Sequence, residues 1–270
     1  MNDIEQKMKE SLIDLKENHH VIGVKAEFEA EGTRMVEAMR LKEIVTRAGL
    51  ELTIKIGGCE AVKDMHEAKF IGAETICAPM IESRYAMQKY IKAVHFVFPK
   101  EERNRIKTFI NLETITGFSN FEDMMSSPDF SEIDGIVLGR VDLCLSLGYT
   151  REEINEEEIF GYAEKLSAAL ADRKKIFCIG GGVSAYSMPF FRRLKYLSRF
   201  ETRKIIFDAK AMCAAPDAGK GILKAVGFEL MWLKNKQGLY SSILEEDSQR
   251  IAMLEARYGR LIEEAGGHCG

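Results

Sequence analysis

The chain has 270 residues, of which 46% are hydrophobic, and its formal net charge is −4 at pH 7. This length suits one barrel domain of about 250 residues with a sizeable core, and the acidic balance excludes the basic footprint of a nucleic-acid-binding protein. No apolar run approaches the roughly 20 residues of a membrane span, so we expect no membrane partner.

The cysteines and the N-terminus both indicate a cytoplasmic protein. No two of the cysteines form a C-x-x-C pair, and most lie in or beside predicted apolar strands, which indicates reduced thiols. The first residues are typical of a polar helix start rather than of a signal peptide.

The first predicted strand carries an unusual charged face. Residues 3–17 have the apolar spacing of an amphipathic helix that could plug the bottom of a barrel, and residues 21–29 are then predicted to form a strand. Within it Lys25, Glu27 and Glu29 alternate with apolar residues and so share one face. In a barrel this face is a candidate ligand-binding surface, and an interior ion pair explains the same pattern equally well.

Two more strands follow in alternation with helices. Residues 50–56 form the second predicted strand, with Lys55 near its end, and residues 75–80 form the third, which closes on a turn that contains Glu82. Strands that alternate with helices predict a parallel α/β fold, in which the carboxyl ends of the strands carry the chemistry.

Two carboxylates follow the fourth and fifth strands. Glu113 comes directly after the apolar run Phe109-Ile-Asn-Leu112, and Asp142 lies in the exit loop that begins at Gly139. Carboxylates at successive strand ends can share one hard divalent cation such as Mg²⁺. Alternatively, Glu113 caps the next helix and Asp142 holds a turn, and the spacing alone does not separate the two.

Two further strands are predicted after residue 156. Residues 175–179 form the sixth, and the glycine run Gly180-Gly-Gly-Val-Ser184 after it either presents backbone N–H groups to an anion or makes a tight turn. Residues 204–208 form the seventh, which would place Asp208 and Lys210 at the top of the barrel. A count of about seven strands is one short of a closed eight-stranded (β/α)8 barrel, so either one strand is missed, which we expect within residues 228–233, or the barrel is abbreviated.

The C-terminal region is predicted to be a helical extension over about residues 217–264 of a single domain that spans residues 1–270. An apolar stripe runs from Leu223 to Leu233 and resumes from Ile243 to Leu261, and Gly238 predicts a break between the two. This is more helix than one barrel strand requires, so we expect a homo-oligomer. A helix folded back across the same barrel is the alternative.

Three motifs resemble those of the HpcH/HpaI aldolase and citrate lyase β family. They are Gly72-Ala-Glu-Thr-Ile-Cys-Ala-Pro-Met-Ile-Glu-Ser83, Ile110-Asn-Leu-Glu-Thr114 and Asp134-Gly-Ile-Val-Leu-Gly-Arg-Val-Asp-Leu143. The resemblance covers about residues 50–148 in consistent order and spacing. It implies a TIM-type barrel, a divalent metal, and cleavage or formation of a C–C bond next to a 2-oxo acid or acyl thioester.

Two positions depart from the pattern of that family. The family's substrate-binding arginine matches Lys55, which offers a point charge instead of a planar bidentate fork. The family's aldolases use a histidine near the end of the first strand, and residues 27–32 contain none. A metal-bound water or Glu29 would then have to move the proton.

The resemblance and the residues together predict a metal-dependent lyase for a small carboxylate substrate. Mg²⁺ or Mn²⁺ is expected on Glu113 and Asp142, and catalytic roles are expected for Lys55 and Glu29. Substrate contacts are expected from Lys25, Glu82, Gly139, Arg140 and Asp142.

Two other functions are compatible with the same residues. A Schiff-base aldolase would use Lys25, Lys55 or Lys210 with a depressed pKa. A non-catalytic barrel would bind a keto acid or serve as an assembly subunit.

Overall fold

A computed structural model of the protein describes residues 1–264, which fall into two compact units. The first, Met1–Glu229, contains a closed barrel, and the second begins at Leu230 and is helical throughout its described part. No helix in the described range is long and apolar enough to cross a membrane.

Eight strands close the barrel in the order in which they occur in the chain. They are β1 (Val21–Glu27), β2 (Glu51–Lys55), β3 (Thr75–Ala78), β4 (Lys107–Leu112), β5 (Gly135–Gly139), β6 (Ile176–Gly180), β7 (Arg199–Glu201) and β8 (Ile205–Asp208). Each of the first six pairs in parallel with the next. The predicted TIM-type barrel is confirmed, and the complete form is the one observed.

Helices separate most of the strands. They are α1 (Asp3–His19), α2 (Met35–Arg47), α3 (Val62–Ile71), α4 (Arg84–Val97), α5 (Lys100–Arg103), α6 (Ile115–Ser119), α7 (Phe121–Ser126), α8 (Arg140–Ser146), α9 (Glu157–Asp172), α10 (Met188–Arg193), α11 (Ala209–Ala214) and α12 (Ala218–Glu264). Short 3₁₀ turns cover Pro128–Glu132, Arg151–Glu153 and Ala185–Ser187.

The first helix does not plug the barrel. Asn2 and Glu5 form a capping box at its start, and its apolar side chains pack it against α2 and β1. A cavity of about 630 Å³ remains at the amino ends of the strands, lined in part by Lys16, Lys107 and Arg199.

The last strand runs in the opposite direction to all the others. β8 is antiparallel to both β7 and β1, because only residues 202–204 separate β7 from β8, and a parallel return needs a crossover of a dozen or more residues. Asp208 therefore lies at the bottom of the barrel, where its N–H donates to the carbonyl of His20. The prediction that Asp208 and Lys210 lie at the top is wrong, and the missed strand is Arg199–Glu201.

The final helix is continuous through the predicted break. Residues 228–233 are helical, not a strand, and α12 runs through Gly238 without interruption. A single glycine costs a helix only about 1 kcal/mol relative to alanine, which the neighbouring helix formers can offset.

Candidate active site at the carboxyl ends of the strands

Glu113 is the centre of the polar cluster at the top of the barrel. It follows β4 directly and is only 3% exposed. Its Oε2 accepts a hydrogen bond of 2.8 Å from Asn111 Nδ2, and its Oε1 accepts one of 3.1 Å from the Met80 N–H. Met80 has a left-handed φ of 49°, an uncommon conformation for a side chain of this type. Donors from two strand ends therefore fix the orientation of this carboxylate.

The end of the neighbouring strand leaves room for this carboxylate. A Cβ atom on Gly139, the last residue of β5, would lie 2.4 Å from Glu113 Oε2 and 2.8 Å from Glu113 Cβ. Any side chain at this position would displace Glu113. The Glu113 carboxylate can therefore occupy its observed position only because residue 139 is a glycine.

Lys55 places a positive charge beside Glu113. It is the last residue of β2, and its Nζ lies 2.9 Å from Glu29 Oε2 and 3.8 Å from Glu113 Oε1. Burial acts to lower the pKa of Lys55, but the two carboxylates outweigh it and the net pKa is raised. Lys55 is therefore an ammonium ion at neutral pH.

Asp142 lies close enough to influence Glu113. Burial raises the pKa of Glu113, Lys55 and the Asn111 hydrogen bond act against this, and the charge of Asp142 raises the pKa further. Asp142 belongs to the first turn of α8 and is partly exposed. The structure thus places the two carboxylates that the sequence singles out within electrostatic influence of each other.

These two carboxylates have the chemistry of a hard-cation site. Oxygen ligands suit Mg²⁺ and Mn²⁺, and a positive ion would offset the burial of the Glu113 charge and its repulsion by Asp142, which both raise the pKa of Glu113. Within residues 1–264 no group of three or more His, Cys, Asp or Glu side chains is arranged to hold a metal. Glu113 and Asp142 would therefore hold such an ion as a pair, with water and substrate oxygens as its other ligands.

Lys25 lies in an ion-pair network inside the barrel. Its Nζ is 3.0 Å from Glu27 Oε1 and 2.6 Å from Glu201 Oε1, and all three residues are buried. The net pKa of Lys25 is raised, because these carboxylates outweigh the effect of burial. From the sequence, the charged face of the first strand is either a ligand-binding surface or an interior ion pair. Lys25 forms the interior ion pair, whereas Glu29 contacts Lys55.

Arg140 has a structural environment in place of the predicted substrate contact. Its side chain is fully buried, and its donors reach the carbonyls of Gly180 and Gly181, the amide of Asn155 and the hydroxyl of Ser187. Burial with no facing carboxylate lowers its pKa. The guanidinium fastens the glycine turn after β6 to the start of α8, so this geometry does not support the prediction of a substrate contact.

Glu82 supports the segment that follows Glu113. Its carboxylate accepts a hydrogen bond from the Thr114 hydroxyl, and Thr114 is the N-cap residue of α6. The side-chain amide of Asn120 donates to the Glu82 carbonyl over 2.8 Å. In this structure the Glu82 carboxylate holds the turn after β4.

Several polar residues of the cluster were not predicted from the sequence. Asn111 was detectable, because it lies two positions before Glu113 and β-strand alternation places both on one side. Cys77 donates to Asn111 Oδ1 over 2.9 Å and extends this chain of contacts. Glu201 was not detectable, since it belongs to the three-residue strand β7.

One more buried lysine lies near the top of the barrel. Lys204 precedes β8 and forms an ion pair with Glu31, and burial lowers its pKa although Glu31 acts in the opposite direction. The histidines of the described chain lie elsewhere: His19 and His20 at the bottom, His66 on α3 and His95 on α4.

Comparisons with known proteins agree with this architecture. Residues 30–188 match the family model described as HpcH/HpaI aldolase/citrate lyase. The fold is similar to a crystal structure of an HpcH/HpaI aldolase/citrate lyase family protein from Burkholderia cenocepacia J2315, with 14% identity, a TM-score of 0.58, and coverage of 95% of this chain and 100% of that one. It is also similar to the citrate synthase SbnG, with 13% identity, a TM-score of 0.58, and coverage of 86% and 90%. No curated protein matches the sequence.

Proposed function

Because the chain belongs to the HpcH/HpaI aldolase/citrate lyase family, and is thus a carbon–carbon lyase-type enzyme, we propose that it acts on a 2-oxo acid or related acyl compound with a divalent cation. The observation that carries this proposal is the buried Glu113 carboxylate, held by Asn111 and Met80, with Asp142 and Lys55 beside it. A site of this kind can bind a small anion that has several oxygens.

The cation would be held by Glu113 and Asp142. When bound, such an ion polarises a keto oxygen and offsets the negative charge that develops on it. Mg²⁺ and Mn²⁺ both suit two carboxylate ligands, because both prefer oxygen donors.

Lys55 is proposed to bind the carboxylate of the substrate. Its ammonium charge is maintained by Glu29 and Glu113, and its side chain is buried except for 11% of its surface. A fixed positive charge here also stabilises negative charge that appears on the 2-oxo acid fragment during C–C cleavage.

Glu29 is proposed to move the proton. In the cleavage direction a base removes the hydroxyl proton of the substrate, the C–C bond breaks, and its electron pair moves into the 2-oxo acid fragment as an enolate, which is then protonated on carbon. Glu29 is the most exposed carboxylate of the Lys55 cluster, with 29% side-chain exposure, so a substrate can reach it. General acid–base assistance of this kind contributes about 10²–10⁴-fold to a rate.

A Schiff-base mechanism is less well supported. A lysine nucleophile must be neutral, whereas the pKa values of Lys25 and Lys55 are raised. Lys210 is exposed on α11, beyond the bottom end of β8. Borohydride reduction in the presence of pyruvate would detect such an adduct, and a labelled Lys204 peptide would support this mechanism in place of ours.

The decisive experiment combines metal binding with turnover. Mn²⁺ affinity and the release of pyruvate from 4-hydroxy-2-oxo acids would be measured for the parent, Glu113→Ala, Asp142→Ala and the exposed control Asp123→Ala. We expect chelator-sensitive turnover in the parent and the control, with tighter Mn²⁺ binding there than in the two site variants. Unchanged Mn²⁺ affinity in both site variants would place any metal elsewhere. Absence of turnover with any 2-oxo acid would favour a non-catalytic barrel.

A further inference from the structure

The second structural unit carries an exposed seven-residue repeat along α12. Apolar residues recur at alternating intervals of three and four, which is the spacing of a coiled-coil seam. The seam consists of Leu230, Leu233, Gln237, Tyr240, Leu244, Asp247, Ile251, Leu254, Tyr258 and Leu261. All of these except Gln237 and Asp247 are apolar or aromatic.

Most of the apolar seam residues are exposed to solvent although they are large, and Tyr240 is half-buried. Leu230 is 52% exposed, Leu244 is 68% exposed and Ile251 is 55% exposed. Every described position from Ser241 to Tyr258 is exposed. An apolar row of this length, interrupted only at Gln237 and Asp247, marks a protein–protein contact, because solitary helices in water expose few contiguous apolar residues.

The sequence of the seam is symmetric about Ser242. Consider a second copy that lies antiparallel to the first, so that residue i of one copy faces residue j of the other when i + j = 484. Four kinds of facing pair, or layer, then form between the copies. Leu230 meets Leu254, Leu233 meets Ile251, Tyr240 meets Leu244, and Gln237 meets Asp247. The two polar seam positions thus fall in the same layer.

The antiparallel arrangement gives each of the two polar seam residues a hydrogen-bond partner. The Gln237 amide can donate to the Asp247 carboxylate of the second copy, and Arg250 of that copy lies one turn from the same carboxylate. In a parallel, in-register pair Asp247 would instead meet Asp247, and burying two like charges together is unfavourable. Charge and hydrogen bonding therefore favour the antiparallel pair.

The residues at the centre of the seam also favour the antiparallel pair. Ile243 flanks it one position before Leu244 and is 48% exposed. In an antiparallel pair, the residue that precedes the central core residue lies close to the same residue of the second copy, across the two-fold axis. Ile243 of one copy would therefore contact Ile243 of the other and widen the apolar contact.

We propose that two copies of this chain associate through an antiparallel coiled coil of their α12 helices, with its two-fold axis near Ser242. The partner is a second copy rather than another protein, because the seam complements itself when reversed. This inference does not depend on the proposed chemistry of the barrel.

The first test is the mass of the full-length protein in solution. Sedimentation equilibrium at about 10–50 µM should give a dimer, or a multiple of a dimer, for the parent. The double variant Leu244→Glu, Ile251→Glu should have half that mass, whereas Gln249→Glu, which faces away from the seam, should not change it. Circular dichroism would verify that both variants retain their helices. A monomeric parent, or a folded double variant of unchanged mass, would overturn the proposal.

The second test determines the direction of the helices. Lys234→Cys and Ser248→Cys both flank the seam and lie at nearly the same height in the antiparallel pair, because their sum of 482 differs from 484 by two residues, or about 3 Å along the helix, and both positions are exposed. Mixing the two variants under mild oxidation should give a 234–248 disulfide between copies, detected as a linked peptide by mass spectrometry. Links of 234 to 234 and 248 to 248 would show a parallel pair and contradict the proposal. The parent carries neither cysteine and controls for links through native thiols.

Discussion

The carboxylate of Glu113 and the backbone of Gly139 are in direct contact across the ends of β4 and β5. A single added carbon on Gly139 would lie 2.4 Å from Glu113 Oε2, a separation that real atoms do not adopt. The position of the proposed metal-binding carboxylate is therefore set by the absence of a side chain on the adjacent strand.

We predict that Gly139→Ala will lower kcat/KM by at least about tenfold, because misplacing a catalytic group by about 1 Å can cost up to 10²-fold. Gly161→Ala is the matched control, since a Cβ there meets no atom within 4 Å and alanine favours the helix. Steady-state kinetics with thermal melts would separate the effects. Equal loss of activity in both variants would contradict this role for Gly139.

The raised pKa of Glu113 predicts a pH dependence of stability. A carboxyl whose folded pKa lies above its ordinary value of 4.5 is more stable in the fold when protonated, and this contribution is lost as the pH rises through the folded pKa. The free energy of unfolding of the parent relative to Glu113→Gln should therefore increase as the pH falls from 7 towards 4.5. Urea unfolding at several pH values would measure it, and a difference that stays constant or decreases would contradict the shift.

Lys55 should control the acid limb of the activity profile. Lys55→Met removes the ammonium charge that acts to lower the pKa of Glu113, so this pKa should rise further. The acid limb of kcat/KM should then move to higher pH, and KM for the 2-oxo acid should rise. Lys55→Arg keeps the charge and should retain the position of the limb. An unchanged profile and an unchanged KM in Lys55→Met would remove Lys55 from the site.

The ion pair inside the barrel should matter for stability more than for chemistry. Lys25→Met leaves Glu27 and Glu201 as buried charges without their partner, which we expect to cost roughly 3–5 kcal/mol of the free energy of unfolding. Lys63→Met, which removes an exposed pair with Glu67, should change stability very little. Adding Glu201→Gln to Lys25→Met should recover part of the loss, and no recovery would argue against this pairing.

Arg140 offers a test of a structural role against substrate binding. Arg140→Lys loses the planar fork that reaches several carbonyl and hydroxyl oxygens, so the melting temperature should fall. KM should change little if no substrate group contacts Arg140. A higher KM at an unchanged melting temperature would restore Arg140 as a substrate ligand.

The sequence by itself determined the type of fold and the carboxylates of the candidate site. Buried parallel strands have continuous apolar runs, and a polar residue directly after such a run must lie at the strand end, so Glu113 and Lys55 were placed correctly from local pattern. The family resemblance depended on the same strand ends.

Only the tertiary structure decided the direction of β8, the environment of Arg140 and the course of α12. Local pattern does not state which way a short strand runs, because that depends on whether the preceding connection is long enough for a crossover. Arg140 lies at a predicted strand end, where the sequence suggests a substrate contact, yet the glycine turn that surrounds it comes from a strand some 40 residues later. Gly238 has the composition of a break, but the cost of one glycine is small against the helix on both sides. In each case the deciding contact is remote in the chain or cooperative along it, and a single residue does not reveal it.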